Sequence, residues 1–216
     1  MVKQEDLIEN LDADIAECLL RFEVNDPYET CFGYLCLIEA GSDIILTNTF
    51  GANALKFHDD SCSLEEIIKA AVSHVKKAER EALLQTGDER KIYTALDVGP
   101  TGKLLKPMGD LEFETAYEAF KEVVILGEQA GADLIHIETM SDTYELKAAV
   151  LAAKENTSLP VFATVIFDER KKLLTGADVS SVVALLEGLG VDALGINCAM
   201  GPKEMLPVLE ELIKYS

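Results

Sequence analysis

The sequence predicts an α/β protein of the (β/α)8-barrel (TIM-barrel) type, present in part, with about five or six βα units. Helix-like segments alternate with short apolar strands, as in parallel βα units. A Gly that closes a helix is followed by an Asp directly before the next strand at EAGSDIILTN (39–48), QAGADLIHIET (129–139) and GLGVDALGINC (188–198). Polar residues follow most of these strands, and barrel enzymes carry their chemistry at that end.

The individual elements follow from hydrophobic periodicity and turn residues. Strands are predicted at 43–47, 92–97, 134–138, 161–166 and 193–197, each short and apolar as in a sheet covered on both faces. Helices are predicted at 27–40, 63–85, 111–130, 143–156, 179–189 and 203–214. Ser63 followed by Glu66 predicts a capping box at the start of the second helix.

An open doubly wound sheet is the alternative architecture. No GxGxxG follows the first strand, so a dinucleotide-binding fold has no positive support. An open sheet gathers its polar strand ends at one switch point, whereas here they recur at Asn48, Asp97, Glu138 and Asn197. The distribution of these residues favours the barrel.

The domain organisation predicted is an N-terminal helical segment over 1–25 and a partial barrel domain over 26–216. The first segment has apolar residues at helical spacing, namely Leu7, Leu11, Ile15 and Leu19. A complete barrel has eight strands and roughly 250 residues. With five strands in the sequence, we expect part of a barrel, or a barrel whose missing strands are supplied or dispensed with in another way.

Charge and composition limit the classes of partner. The formal net charge of −20 repels phosphate backbones and anionic lipid, so we expect no nucleic acid and no membrane partner. No apolar run approaches the roughly 20 residues that span a bilayer, and the acidic start MVKQEDLIEN lacks a signal-peptide pattern. We therefore expect a cytoplasmic protein. Five cysteines without a CxxC pair indicate reduced thiols, with Cys31 and Cys36 buried in an apolar helix.

Several long motifs, in order, resemble the homocysteine S-methyltransferase family, most of all the homocysteine-binding domains of its cobalamin-dependent members. They are GSDIILTNTFGAN (41–53), DVGPTGKLL (97–105), IETMSDTYELKAAVLAAKE (137–155), FDERKKLLTGAD (167–178) and LGINCAMGP (194–202). The resemblance covers roughly residues 26 to 215. It implies a (β/α)8 barrel that transfers a methyl group to the thiol of homocysteine and gives methionine.

The resemblance also implies a zinc ion at the carboxyl ends of the strands. Zinc lowers the pKa of a thiol, and the resulting thiolate is the nucleophile. In the family three Cys thiolates hold the metal and leave the fourth position for substrate, and Cys198 of LGINC corresponds to the first ligand. Glu138 corresponds to the residue that binds the substrate amino group, and Asn48 and Thr49 are candidates to orient the substrate. The methyl donor would be methylcobalamin or methyl-folate on another domain or protein.

The sequence departs from the family pattern in two places. It contains neither the Gly-Gly-Cys-Cys-Gly stretch with the other two zinc ligands nor the opening Asp-Gly-Ala-Met-Gly-Thr-like turn. We therefore expect this chain to be inactive when isolated, unless a complementary barrel segment joins it. The alternatives are a non-catalytic binding or assembly module, which could form a homo-oligomer, and a methyltransferase for another thiol acceptor.

Each candidate residue also has a purely structural interpretation. Cys198 could be a small apolar residue at a strand end, and Glu138 could form a salt bridge or cap a loop. Asn48 and Thr49 could cap the loop that follows them. Three further residues are predicted to be structural: His136 in the core below Glu138, Asp97 in a tight turn with GPTG, and Asn197 as a support beside the metal position.

Overall fold

The computed structural model describes residues 27–57, 62–87, 89–198 and 200–216. The helical segment predicted over 1–25 lies outside the described residues. The helices are α1 (Pro27–Glu39), α2 (Leu64–Thr86), α3 (Phe113–Ala130), α4 (Thr143–Asn156), α5 (Val179–Gly188) and α6 (Pro202–Tyr215). The strands are β1 (Ile44–Leu46), β2 (Tyr93–Val98), β3 (Leu134–Met140), β4 (Val161–Val165) and β5 (Ala193–Ile196).

The five strands form one parallel sheet in the order β1-β2-β3-β4-β5. Each strand therefore pairs with the next strand in the sequence, through an intervening helix. This is the arrangement of successive βα units in a barrel, and it confirms the predicted α/β fold. Every helix and strand predicted between residues 27 and 216 is present, with boundaries that differ by at most two residues.

Alternation along the strands divides the sheet into two faces. The face toward the helices carries the core, including Leu96, Ile135, Ile137 and Val165, each essentially inaccessible to solvent. The opposite face, here called the inner face, carries Asp97, His136 and Glu138, as well as exposed apolar side chains. Those exposed side chains are Ile44, Leu46 and Tyr93, between 37% and 45% accessible.

The recurring Asp before a strand has a structural purpose. Asp133 Oδ2 accepts a hydrogen bond from the backbone N–H of Thr94, at the start of the neighbouring strand β2, at 2.9 Å. It also pairs with Lys76 of α2. Asp192 repeats the arrangement one unit on: it accepts from the N–H of Val161 at 2.8 Å and pairs with Lys154 at 3.2 Å. These carboxylates tie the start of β3 to the start of β2 and the start of β5 to the start of β4.

Local signals at the helix ends agree with the structure. The Ser63 hydroxyl accepts from the N–H of Glu66, and the Glu66 carboxylate accepts from the N–H of Ser63, which confirms the capping box. Gly131 ends α3 with φ +96°, a conformation that glycine adopts without strain. No helix in the described part of the chain is both long and apolar enough to cross a bilayer.

The expected burial of Cys36 is wrong. Cys36 lies in α1, but its side chain is exposed. Helix α1 packs mainly against α2 and β1, at one end of the described sheet, so an apolar sequence there does not bury every side chain. The side chain of Cys31 lies outside the described residues.

Candidate functional site

Strands β2, β3 and β5 bring three polar side chains together where the parallel strands end. Asp97 pairs in register with His136, and Glu138 follows two residues later on the same face of β3. Asn197 directly follows β5 and reaches across β4 to β3. We call the group formed by Asp97, Glu138, Asn197 and Cys198 the carboxyl-edge cluster.

The backbone of Asp97 is hydrogen-bonded to the segment that follows β1. Its N–H donates to Thr47 Oγ1 at 3.0 Å, and its carbonyl oxygen accepts from Thr49 Oγ1 at 2.7 Å. The Thr47 and Thr49 hydroxyls are themselves 2.7 Å apart. Because β2 continues to Val98, Asp97 is a strand residue whose side chain lies on the inner face. The prediction that Asp97 belongs to a tight turn is therefore wrong.

The carboxyl groups of Asp97 and Glu138 lie within hydrogen-bonding reach of each other. Asp97 is 6% accessible, and its Oδ1 has no hydrogen-bond partner. Burial and the neighbouring Glu138 charge raise the pKa of Asp97 well above its usual value. Burial also raises the pKa of Glu138. Two carboxyls in this arrangement favour a state in which they hold one proton between them.

Asn197 joins β5 to the end of β3. Its Nδ2 donates to Thr139 Oγ1 at 2.7 Å and to Glu138 Oε2 at 3.2 Å. The same nitrogen lies 3.6 Å from the Cys198 sulfur. One amide group therefore contacts both the carboxylate and the thiol that the sequence singled out. The Oδ1 of Asn197 is buried without a partner.

The backbone at the ends of β3 and β5 is unusual. Thr139 has φ +64° and Cys198 has φ +55°, in the left-handed region that residues other than glycine seldom adopt. For a β-branched residue such as Thr139 this conformation costs of order 1–3 kcal/mol, and it occurs preferentially at functional sites. The two strained residues flank the Asn197 amide, so the strain lies within the cluster itself.

His136 lies beside Glu138 on the inner face, partly accessible rather than buried in the core as expected. Its Nε2 is 4.0 Å from Glu138 Oε2. Burial lowers the pKa of His136, so the imidazole favours the neutral form near pH 7. His136 therefore contributes little positive charge to balance the carboxyl groups of the carboxyl-edge cluster.

The structure gives Asn48 and Thr49 different surroundings. The Asn48 backbone N–H donates to the Tyr34 hydroxyl at 2.9 Å, and the residue is partly accessible after β1. Thr49 is 1% accessible, and its hydroxyl is committed to Asp97 and Thr47. Thr49 thus reaches the cluster through Asp97. Direct contact of either residue with a substrate stays a prediction.

A buried contact that the sequence did not reveal orders the loop after Asp97. Glu145, 3% accessible in α4, accepts from the N–H of Thr101 at 2.7 Å and from its hydroxyl. Burial raises the pKa of Glu145, although the Thr101 hydrogen bonds oppose the shift. The contact fixes the GPTG segment against the start of α4. Its sequence signal, a Glu in the first turn of a helix, equally fits a solvent-exposed position.

The described residues do not by themselves make a zinc site. A catalytic zinc needs three protein ligands, and Cys198 offers one thiol, which is exposed. Within 27–57, 62–87, 89–198 and 200–216, no three His, Cys, Asp or Glu side chains are grouped to hold a metal ion. Cys198 fits the role of one ligand, and the others would have to come from outside these residues.

A parallel βα sheet with acidic, amide and thiol groups at the strand ends is typical of the (β/α)-barrel fold, which carries its functional residues at that end. The family model of homocysteine S-methyltransferase matches residues 34–216. The methionine synthases of Mycobacterium leprae (strain TN) and Mycobacterium tuberculosis (strain ATCC 25618 / H37Rv) are each 33% identical over 183 residues, 82% of the chain. The chain belongs to the homocysteine S-methyltransferase family. It spans 15% of the length of these curated relatives.

Solved structures support the fold. The metallated form of the homocysteine methyltransferase MmuM from Escherichia coli superposes with a TM-score of 0.84, at 22% identity, covering 97% of this chain and 76% of that one. The apo form of the same protein gives a TM-score of 0.77 at 23% identity, covering 91% and 71%. These similarities confirm the (β/α)-barrel fold, present here in part.

Proposed function

We propose that this chain is a homocysteine-binding domain, which holds the thiol amino acid that accepts a methyl group. The observation that carries the proposal is the Asn197 amide, which contacts Glu138 at 3.2 Å and the Cys198 sulfur at 3.6 Å. A substrate ammonium on Glu138 would place a short thiol-bearing side chain toward Cys198. The methionine synthase relatives and the family model support homocysteine as that substrate.

Cys198 is proposed as one thiolate ligand of a zinc ion, with further ligands from outside the described residues. When bound, zinc would keep the substrate sulfur as a thiolate near neutral pH. The methyl donor is proposed to be methylcobalamin or methyl-folate on another domain or protein. This chain's own contribution is to bind the amino acid, orient its ammonium group and provide one metal-binding thiol. Turnover by the chain alone is not expected.

Calorimetry of L-homocysteine binding tests the proposal. We expect wild type to bind L-homocysteine and to bind 4-mercaptobutanoate, which lacks the amino group, at least tenfold more weakly. Glu138→Gln should weaken L-homocysteine binding about tenfold or more, because a charge-assisted hydrogen bond is worth roughly 1.5–3 kcal/mol. Glu169→Gln, an exposed carboxylate in the loop after β4, is the matched control and should bind as wild type. Equal affinity for the two ligands would contradict the proposal.

The exposed apolar inner face favours a second candidate, an assembly module that associates with another copy of itself. Ile44, Leu46 and Tyr93 are exposed there, and large exposed apolar patches mark interaction surfaces. Sedimentation velocity over a range of concentrations tests it. A stable monomer at all concentrations would contradict self-association. A cytoplasmic location and the absence of nucleic-acid and membrane partners stay predictions.

A further inference from the structure

The described residues leave an apolar surface uncovered at the end of the sheet formed by β1. Ile44 pairs in register with Tyr93, and Leu46 lies two residues further along β1 on the same face. All three side chains are exposed on the inner face, and Leu37 of α1 is exposed in the helix layer at the same end. We call these four residues the β1-end surface. Exposed apolar groups of this kind mark an interaction surface.

Helix α1 is apolar on more than the side that it buries. Tyr34, Leu35 and Ile38 are buried in a core that α1 shares with α2 and β1. Cys36 and Leu37 are exposed on the same helix. A helix that is apolar on every side is normally buried on every side. The exposed side of α1 therefore also requires a cover.

The direction of α1 shows where the preceding part of the chain joins the described structure. Near the end of α1, the Ile38 carbonyl accepts a hydrogen bond from Arg90 Nη2, which lies before β2. One turn earlier, the Tyr34 hydroxyl accepts from the backbone N–H of Asn48, which lies after β1. Helix α1 therefore runs antiparallel to β1, and its first residue, Pro27, lies toward the carboxyl ends of the strands. The chain before Pro27 thus joins the structure beside the β1-end surface.

The sequence before α1 has one apolar side and one acidic side when its residues are placed at helical spacing. The apolar side, here called the N-terminal stripe, consists of Leu7, Leu11, Ile15, Leu19 and Phe22. The acidic side carries Glu5, Asp6, Glu9, Asp12 and Glu17. Such a segment can bury its apolar side on an apolar surface while its carboxylates stay in solvent. The family model begins to match at residue 34, so this segment lies outside the pattern that the family shares.

We propose that residues 1–25 pack as an amphipathic helix on the β1-end surface of the same chain, with the N-terminal stripe facing it. A helix of about 20 residues is roughly 30 Å long, and a six-residue strand is about 20 Å long. The segment is therefore long enough to cover β1 and β2 from end to end. Because it is joined to α1 beside the surface, its effective concentration there is high. A second copy is disfavoured as the occupant, since two chains of net charge −20 repel each other. This inference is independent of the proposed function.

Hydroxyl-radical footprinting of the full chain, read by mass spectrometry, tests the proposal. Tyr144 and Leu174 are exposed side chains away from β1 and serve as references for Tyr93 and Leu46. We expect Tyr93 and Leu46 to be oxidised about tenfold more slowly than their references, because burial of even one large apolar side chain keeps the packed state well populated. Met140 is fully buried in β3 and should stay unoxidised, which shows that the sheet is folded.

The variant Ile15→Asp places a carboxylate in the N-terminal stripe. An unpaired charge is not tolerated in an apolar contact, so we expect the oxidation rates of Tyr93 and Leu46 to rise about tenfold, to those of their references. Ala16→Asp is the matched control, because it adds the same charge on the acidic side of the segment. That variant should keep the protection of wild type, and Met140 should stay unoxidised in both.

Limited trypsin digestion tests the same contact from the side of the sheet. Arg21 is a cleavage site within the segment, and the exposed Arg170 in the loop after β4 is an internal reference. Leu46→Glu places a charge on the β1-end surface and should speed cleavage at Arg21 about tenfold. Leu174→Glu, at an exposed position in the loop after β4, is the matched control and should leave cleavage at Arg21 unchanged.

Protection that is independent of protein concentration and is lost in Ile15→Asp would support the proposal. Oxidation of Tyr93 in wild type at the rate of Tyr144 would overturn it, as would protection that persists in Ile15→Asp. Protection that appears only as the concentration rises, together with a dimer in sedimentation velocity, would assign the surface to a second copy and also overturn it. Each of these outcomes leaves the test of homocysteine binding unaffected.

Discussion

Gly127 in α3 packs directly against Leu96 in β2: a Cβ atom built at Gly127 would lie 2.2 Å from Leu96 Cδ2 and 2.9 Å from Leu96 Cδ1. Leu96 is fully buried and precedes Asp97. The absence of a side chain at Gly127 therefore lets α3 approach the strand that carries half of the carboxyl pair. Glycine inside a helix usually destabilises it, but at position 127 the missing side chain allows α3 to pack closely against β2.

Gly127→Ala should lower the free energy of unfolding by about 1–3 kcal/mol, because overpacking a full core outweighs the better helix propensity of alanine. Urea denaturation measures the difference. Gly188→Ala is the matched control: Gly188 ends α5, is exposed, and has open space around its Cα. That variant should be unchanged or more stable by up to about 1 kcal/mol. Equal destabilisation of both variants would contradict the packing explanation.

Asp97→Asn should make the protein more stable than wild type once the pH exceeds the folded-state pKa of Asp97. Because the pKa of Asp97 is raised in the folded state, its favourable contribution is fully present below the unfolded value of about 3.9 and is lost as the pH rises through the folded pKa. The asparagine variant lacks this loss. Urea denaturation across a pH series measures it, and the two curves should converge at acid pH. A parallel pair of curves would contradict the assignment.

Asp133→Ala should destabilise the protein by about 1–3 kcal/mol near neutral pH, since it removes the acceptor for the Thr94 N–H and the partner of Lys76. Burial opposes ionisation of Asp133, but the hydrogen bonds from Lys76 and Thr94 lower its pKa overall. Its contribution is therefore present above the unfolded pKa and is lost as pH falls through the lower folded value. Thermal melts against pH should show the difference from wild type shrinking in acid.

The control for Asp133 is Asp110→Ala, an exposed carboxylate in the loop before α3. Surface substitutions of this kind change stability by about 0.5 kcal/mol or less. If Asp110→Ala costs as much as Asp133→Ala, loss of a carboxylate in general, rather than the contact with the strand start, would explain the result.

Ser63→Ala should cost about 1 kcal/mol, because it removes the side-chain acceptor for the Glu66 N–H at the start of α2. Ser73→Ala, an exposed position inside the same helix, should instead be neutral or slightly stabilising. Chemical denaturation compares the free energies of unfolding of the two variants and so distinguishes loss of the cap from the general effect of a Ser-to-Ala change. A larger loss of stability at Ser73 would be inconsistent with the capping box.

Periodicity predicted the helices and strands well because each βα unit carries its own signals: an apolar run, a closing glycine and an Asp at the next strand start. The prediction for Asp97 was wrong because the predicted end of β2 lay one residue too early. Placing the end of β2 at Asp97 assigned the side chain to the turn, whereas the strand continues to Val98 and points Asp97 at Glu138. Asp97 pairs with His136, and Glu138 lies two residues further along β3 on the same face. The register between β2 and β3 was therefore the information that the sequence did not provide.

The sequence predicted only part of the arrangement of the site residues that the resemblance supplied. Glu138 and Cys198 lie near one amide, as the motif suggested, but the link is Asn197, whose reach to Thr139 depends on the left-handed backbone at Cys198 and Thr139. A left-handed backbone conformation at Thr or Cys is not predicted from the sequence, because these residues seldom adopt it. The burial of Glu145 was hidden for a similar reason, since its partner Thr101 is 44 residues away.

The strand order has a consequence for how the chain acquires its structure. Since each strand pairs with its sequence neighbour, each pairing is closed by a single βα unit, and ordering can spread unit by unit as in repeat proteins. In the part of the chain that the structure describes, the central strand β3 is paired on both sides, whereas β1 and β5 each pair with one strand. Amide protons should therefore exchange most slowly in β3 and faster toward both outer strands, so the Glu138 position is built on the most persistent part of the sheet.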